Sequence, residues 1–155
     1  MTGDAVSARI LIAEDEVIIR MDLAEMLVAE GYDVIEQVGR GDLAVERTRE
    51  LAPDLCILDV KMPGLDGLAA ARIVVEEDLA AVVILTSFSQ RELIGEAVDV
   101  GVGAYVVKPF QASDLVPAIE VALAGRAQLQ ALAGRADEAE PRLERRKVID
   151  RAKGA

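Results

Sequence analysis

The feature that most constrains this chain is a repeated alternation of short β-branched apolar runs with amphipathic segments of helical period, carried through its first 125 residues. Arg9–Ala13, Asp33–Gln37, Asp54–Leu58, Val82–Leu85 and Ala104–Val107 read as strands, because runs so short and so rich in Val, Ile and Leu suit a pleated ladder. Between them, Val17–Glu30 sets Ile19, Leu23, Met26 and Leu27 on one face of a helix, and Gly41–Leu51, Leu65–Glu76 and Gln90–Val100 read as further helices. Gly31 is expected to end the first helix by supplying a left-handed backbone position. A last helix is expected after Ser113, whose hydroxyl suits an N-cap. The middle run, Asp54–Leu58, is apolar almost throughout, as a parallel strand covered on both faces must be. Five strands alternating with helices through short loops predict an α/β fold: a flavodoxin-like, doubly wound parallel sheet in the order 2-1-3-4-5, with a C-terminal helical extension.

Such a fold needs a core, and 52% hydrophobic residues with only 3% aromatics make it an aliphatic one. No uninterrupted apolar run approaches the roughly 18 residues of a membrane span. Met1, Thr2, Gly3 and Asp4 lack the basic-then-apolar opening of a secretory signal. The single cysteine, Cys56, lies between Leu55 and Ile57 and reads as a small buried hydrophobe. A cytoplasmic protein without membrane contact is expected. Histidine is absent, which excludes imidazole as base, metal ligand or phosphocarrier and leaves carboxylates, hydroxyls and lysines to do any chemistry. The net charge of -11 is uneven: residues 1–125 hold 9 basic against 23 acidic side chains, and residues 126–155 hold 8 against 5. Two parts with different partners are expected, 8–125 and 126–155.

In open parallel sheets the functional groups collect beyond the carboxyl ends of the strands, at the switch in strand order. Here those ends carry Glu14, Asp15 and Glu16, then Asp59, then Thr86 and Ser87, then Lys108 and Pro109. Clustered carboxylates repel one another unless a cation sits among them, and oxygen-only ligands in a crevice suit Mg²⁺. A carboxylate can attack phosphorus to form an acyl phosphate. A lysine and a hydroxyl nearby would hold the phosphoryl oxygens. Each group alone is ordinary; the four strand ends together make the case.

At this point the motifs resemble a known family. Leu11–Glu16 resembles the first acidic motif of two-component response-regulator receiver domains, CheY-like proteins, and Leu58–Gly67 resembles their phosphoacceptor strand and loop. Leu85–Ser87 and Tyr105–Phe110 are similar to their two switch motifs, so the likeness spans roughly residues 8–125. The resemblance implies that Asp59 accepts a phosphoryl group from a sensor histidine kinase. It implies that Asp15 ligates Mg²⁺ directly, Glu14 through water, and that Asp59 and the Lys61 backbone carbonyl complete the metal's protein ligands. Thr86 and Lys108 would bind the phosphoryl group, Thr86 and Tyr105 would form the conformational switch, and the Lys108–Pro109 bond would be cis. A homodimer on activation is a further family expectation. The chain would be no enzyme beyond turning over its own aspartyl phosphate.

The last helix is expected to pass Gly125 through Leu129 and Leu132, with Gly134 and Pro141 interrupting it. Arg142–Gly154 carries six positive and two negative charges. Leu143–Gly154 resembles the opening of an ANTAR domain, the RNA-binding output of antitermination regulators; Arg20–Leu27 and Phe88–Arg91 are similar to receivers of that subfamily. An ANTAR domain continues well past this motif, so a truncated output is expected, with RNA bound only through a complete one. A stand-alone receiver acting through protein contacts is the alternative. An aspartyl-phosphate phosphatase of the dehalogenase type would need an aspartate where Lys61 stands, and a cobalamin module would need a histidine. A flavodoxin would need a hydroxyl-rich phosphate loop where the acidic Glu14–Glu16 stretch lies.

Overall fold

In the computed structural model, which describes residues 7–87 and 93–139, the five runs form one parallel sheet in the order β2-β1-β3-β4-β5. The strands are β1 (Arg9–Ala13), β2 (Asp33–Val38), β3 (Leu55–Asp59), β4 (Ala81–Thr86) and β5 (Ala104–Val107). They alternate with α1 (Val17–Ala29), α2 (Gly41–Leu51), α3 (Gly67–Glu76), α4 (Leu93–Val100) and α5 (Ala112–Ala139). Contacts divide the chain into two compact units, Met1–Leu123 and Ala124–Ala155, and the first holds the whole sheet.

Strand side chains alternate between faces, and the core follows that period. Ile10, Ile12, Leu55, Ile57, Val83 and Leu85 point to one side, where Leu23 and Leu27 of α1 and Leu115 and Ile119 of α5 cover them. Leu11, Cys56, Leu58, Val82 and Ile84 point to the other, under Ala44 and Val45 of α2, Ala70, Ala71 and Val74 of α3, and Ala97 of α4. Every residue of β3 is buried, which explains its nearly unbroken apolar run. Each large side chain buried this way contributes about 1.5–3 kcal/mol. Cys56 is fully buried, 3.2 Å from Thr48 Oγ1.

Several element ends differ from the sequence reading, each for a local reason. Asp54 lies just before β3 because its carboxylate accepts the Arg9 N–H at 2.8 Å. The α3 helix begins at Gly67 rather than Leu65, since Asp66 caps it by accepting the Ala69 N–H at 2.8 Å. Ser113 is not the N-cap of α5; the helix starts at Ala112, and Asp114 reaches back to accept the Gln111 N–H at 2.9 Å. Gly134 does not interrupt α5, which runs on to Ala139. A helical glycine costs only about 1 kcal/mol relative to alanine, and good helix formers flank this one. Gly31 has φ +95°, as its place after α1 requires. The expected first turn of α4 at Gln90, the Phe88–Arg91 likeness, Pro141 and the basic Arg142–Gly154 stretch lie outside the described residues. Among the described residues no helix is long and apolar enough to cross a membrane.

Candidate functional site

The carboxyl ends of β1 and β3 lie side by side, because β1 pairs in parallel with β3 through Ala13 and Leu58. The next residues, Glu14 and Asp59, are therefore neighbours, and Asp15 follows on the turn into α1. One carboxylate oxygen from each of Glu14, Asp15 and Asp59 lies within 4.8 Å of the others. Glu14 is fully buried, Asp59 is 5% exposed, and Asp15 faces solvent. An open cavity of about 840 Å³ reaches this edge, lined by Asp15, Val60, Lys61, Met62 and Asp66 among others.

Lys108, just past the end of β5, enters the cluster from the far side. Its Nζ lies 2.8 Å from Asp59 Oδ1 and 3.0 Å from Glu14 Oε1. The Lys108 N–H donates to the Thr86 carbonyl at 2.7 Å, tying the β4 and β5 ends together, and the Lys108–Pro109 bond is cis. Thr86 is buried at the end of β4, one residue past the Asp59–Leu85 pair, with Oγ1 3.4 Å from the Ser87 carbonyl. Tyr105 sits opposite Ile84 on β5 and is 42% exposed, so its ring lies outside the core.

Burial pushes the Asp59 carboxyl above its ordinary range; Lys108 opposes the rise, and the charges of Asp15 and Glu16 add to it. Burial also raises Glu14, against the Glu16 N–H that donates to its Oε2 at 3.0 Å and with help from the Asp59 charge. For Lys108 burial works downward, but hydrogen bonds and attraction from Asp59 and Glu14 win and raise it. Two charges about 4 Å apart interact by roughly 4 kcal/mol at an effective dielectric near 20. One ammonium cannot offset three carboxylates, and the remaining charge of two negatives matches a divalent cation. Glu14 Oε1 is buried with Lys108 Nζ 3.0 Å away, and a carboxylate oxygen with one such neighbour retains capacity for a further polar one. The donor set fits a hard ion such as Mg²⁺.

The sequence-predicted residues Glu14, Asp15, Asp59 and Lys108 thus meet, Thr86 stands at the adjoining strand end, and Lys61 lines the cavity. Tyr105 is on the neighbouring strand but turned outward. Three supporting residues were not singled out for the site. Gly67 lets α3 approach so closely that a Cβ there would overlap the Asp59 carbonyl. Arg20 donates from Nη1 to the Glu14 carbonyl at 2.8 Å. Gly39 leaves the space that Arg20 occupies. Their signal in sequence is faint: glycines at the edges of elements, and a basic residue on a helix next to an acidic turn.

Residues 10–120 match the family described as the response regulator receiver domain. The chain belongs to that family. It is 51% identical to the transcriptional regulatory protein PdtaR of Mycobacterium tuberculosis over 150 residues, 97% of this chain and 73% of PdtaR. It is 35% identical to the chemotaxis protein CheY of Bacillus subtilis over 116 residues, covering 74% of this chain and 97% of CheY. Among solved structures, the receiver domain of a modulated diguanylate cyclase from Desulfovibrio desulfuricans superimposes with a TM-score of 0.73 at 27% identity, over 79% of this chain and 98% of that one. Receiver domains bind Mg²⁺ at an acidic site and are phosphorylated by histidine kinases. The receiver belongs to a two-component response regulator.

Proposed function

We propose that this receiver takes a phosphoryl group from a histidine kinase onto Asp59, in the presence of Mg²⁺, and passes the resulting conformational change to a transcription-antitermination output that binds RNA. The observation that carries the reading is the Asp59 carboxylate, buried at the carboxyl end of β3 with Lys108 Nζ at 2.8 Å and Glu14 and Asp15 beside it.

Asp15 and Asp59 would hold Mg²⁺ through their carboxylates, the Lys61 backbone through its carbonyl, and Glu14 through water. Bound there, the ion supplies positive charge to the phosphoryl oxygens as they cross between donor and acceptor. A carboxylate oxygen of Asp59 attacks phosphorus in line with the donor nitrogen; the O–P bond forms as the N–P bond breaks, and the imidazole leaves. Lys108 gives up part of its pairing with Glu14 and Asp59 to bind one phosphoryl oxygen. The Thr86 hydroxyl donates to another, and Tyr105 turns inward to fill the space behind it.

The output reading is supported by the likeness of Leu143–Gly154 to the start of an ANTAR domain and by the 51% identity with PdtaR, which continues beyond the receiver. Activation would bring two copies together through α4, β5 and α5. A stand-alone receiver acting by protein contacts is the second reading, favoured by the match to nearly the full length of CheY.

The test is intact-mass measurement after incubation with MgCl₂ and acetyl phosphate. Wild type is expected to gain the mass of one phosphoryl group and Asp59→Asn none. Equal gain by both proteins contradicts the assignment. RNA binding by the phosphorylated and unphosphorylated protein then separates the two output readings.

A further inference from the structure

The acidic cluster depends on the peptide that joins Glu14 to Asp15, because the plane of that peptide decides whether both side chains can face Asp59. One face of this turn is held by the sheet: the Glu14 N–H donates to the Val38 carbonyl at 3.0 Å. The carbonyl of the same residue is held by a side chain instead, since Arg20 Nη1 donates to Glu14 O at 2.8 Å. Arg20 itself lies in the first turn of α1, where its N–H donates to the carbonyl of Glu16, the residue before the helix, at 2.9 Å. From there its half-buried side chain doubles back across the turn that carries the ligands.

The route it takes passes close against residue 39, which has no side chain. A Cβ built on Gly39 would lie 3.0 Å from Arg20 Nη1, 3.7 Å from Asp15 Cα and 3.9 Å from the Glu14 carbonyl oxygen. The first distance is tighter than ordinary contact, so an added Cβ would make the guanidinium give by a few tenths of an ångström where it meets the carbonyl.

We propose that Arg20 and Gly39 act as one unit that positions the Glu14–Asp15 turn for metal binding, an inference that rests on the metal-site reading above. Arg20 touches neither ion nor phosphoryl group. It fixes the backbone between two ligand residues, and its fixed fork does this with less loss of freedom than a lysine would. Its positive charge also lies on the acidic turn, where it lowers the cost of holding the carboxylates together. Groups that orient ligands from behind commonly alter metal affinity by about 10–100-fold when removed.

The test is calorimetric titration of the full chain with MgCl₂, in wild type, Arg20→Met, Arg20→Lys, Gly39→Ala and the Gly39→Ala/Arg20→Met double variant. Asp15→Asn serves as the reference for a lost ligand, and thermal unfolding in EDTA reports on the metal-free fold. Arg20→Met is expected to bind Mg²⁺ about tenfold more weakly, at the low end of that range. Arg20→Lys is expected to recover part of the loss while melting like the Met variant. Gly39→Ala is expected to weaken binding in the Arg20 background and to add nothing once Arg20 is gone. Wild-type affinity in Arg20→Met, or additive losses in the double variant, would overturn the proposal. Should Arg20→Met fail to fold, Arg20→Lys and Gly39→Ala decide the question alone. Absence of Mg²⁺ uptake by wild type would instead overturn the metal-site reading itself, which keeps the two failures apart.

Discussion

Asp59 is held under opposing demands. Its burial favours the neutral acid, while the proposed phosphoryl transfer needs the carboxylate, which Lys108 favours and a cation bound there would favour further. The metal-free protein therefore stores a cost at this site. Because Asp59 and Glu14 are both raised, the folded chain binds more protons than the unfolded one between the ordinary carboxylate range and the raised values. Stability in EDTA should fall as pH rises through that window and recover as pH falls back below it. Replacing Asp59 by Asn removes one of the repelling charges and keeps the shape. Urea denaturation in EDTA at neutral pH should find Asp59→Asn more stable than wild type, because the buried carboxylate and its repulsion by the neighbouring acids are gone. A variant no more stable than wild type would mean that Lys108 already offsets the repulsion. At this scale the sequence was most informative, since the carboxylates, the lysine and the threonine were identifiable from strand ends alone. Arg20 was not, because a hydrogen bond to a backbone carbonyl leaves no pattern in residue types.

Among the elements, the ends carry more information than the middles. The interiors of the strands followed from apolar runs, whereas the caps depend on contacts far apart in sequence. The end of α2 is the clearest case: Ala52 adopts φ 51°, a left-handed position usually given to glycine. Arg9 steadies it from across the sheet, donating to the Ala52 and Leu51 carbonyls at 2.8 and 3.0 Å. Nothing in the stretch Leu51–Ala52–Pro53 announces that geometry except the proline after it. Ala52→Gly should stabilise the domain by about 0.5–1 kcal/mol, since relief of the left-handed penalty exceeds the added chain entropy. Chemical denaturation measures it, and a destabilised variant would show that Ala52 gains more from its surroundings than from its backbone. The start of α5 teaches the same lesson, because Asp114 rather than Ser113 satisfies the first turn.

For the whole molecule, the question is how a small charge change at one sheet edge reaches a surface. Tyr105 lies outward on β5, while Thr86 is buried on β4 beside the acceptor strand, so the two halves of the expected switch occupy adjacent strands. The chain has only two tyrosines, which makes the change easy to read. In a Tyr32→Phe background, the emission or ring resonances of Tyr105 should shift on phosphorylation in the Thr86 protein and stay fixed in Thr86→Ala, though both take up phosphate. Movement of Tyr105 without the Thr86 hydroxyl would break the proposed link. Metal binding gives a second whole-molecule readout: Mg²⁺ at about 100 times its dissociation constant should stabilise the fold by about 2.7 kcal/mol. Asp15→Asn should lose most of that gain at the same Mg²⁺ concentration. The overall topology was legible because the sheet order follows from general rules of parallel folds; the outward pose of Tyr105 was not, since the same strand accommodates the ring either way.

The central claim, that Asp59 is the phosphoryl acceptor, is tested most directly by chemical trapping of the acyl phosphate. Borohydride reduction after phosphorylation converts an aspartyl phosphate to homoserine, which peptide mass mapping locates. Homoserine at position 59, formed only when both phosphodonor and Mg²⁺ are present, is the expected result. Homoserine at another aspartate, or none at all in protein that has gained phosphoryl mass, would contradict it.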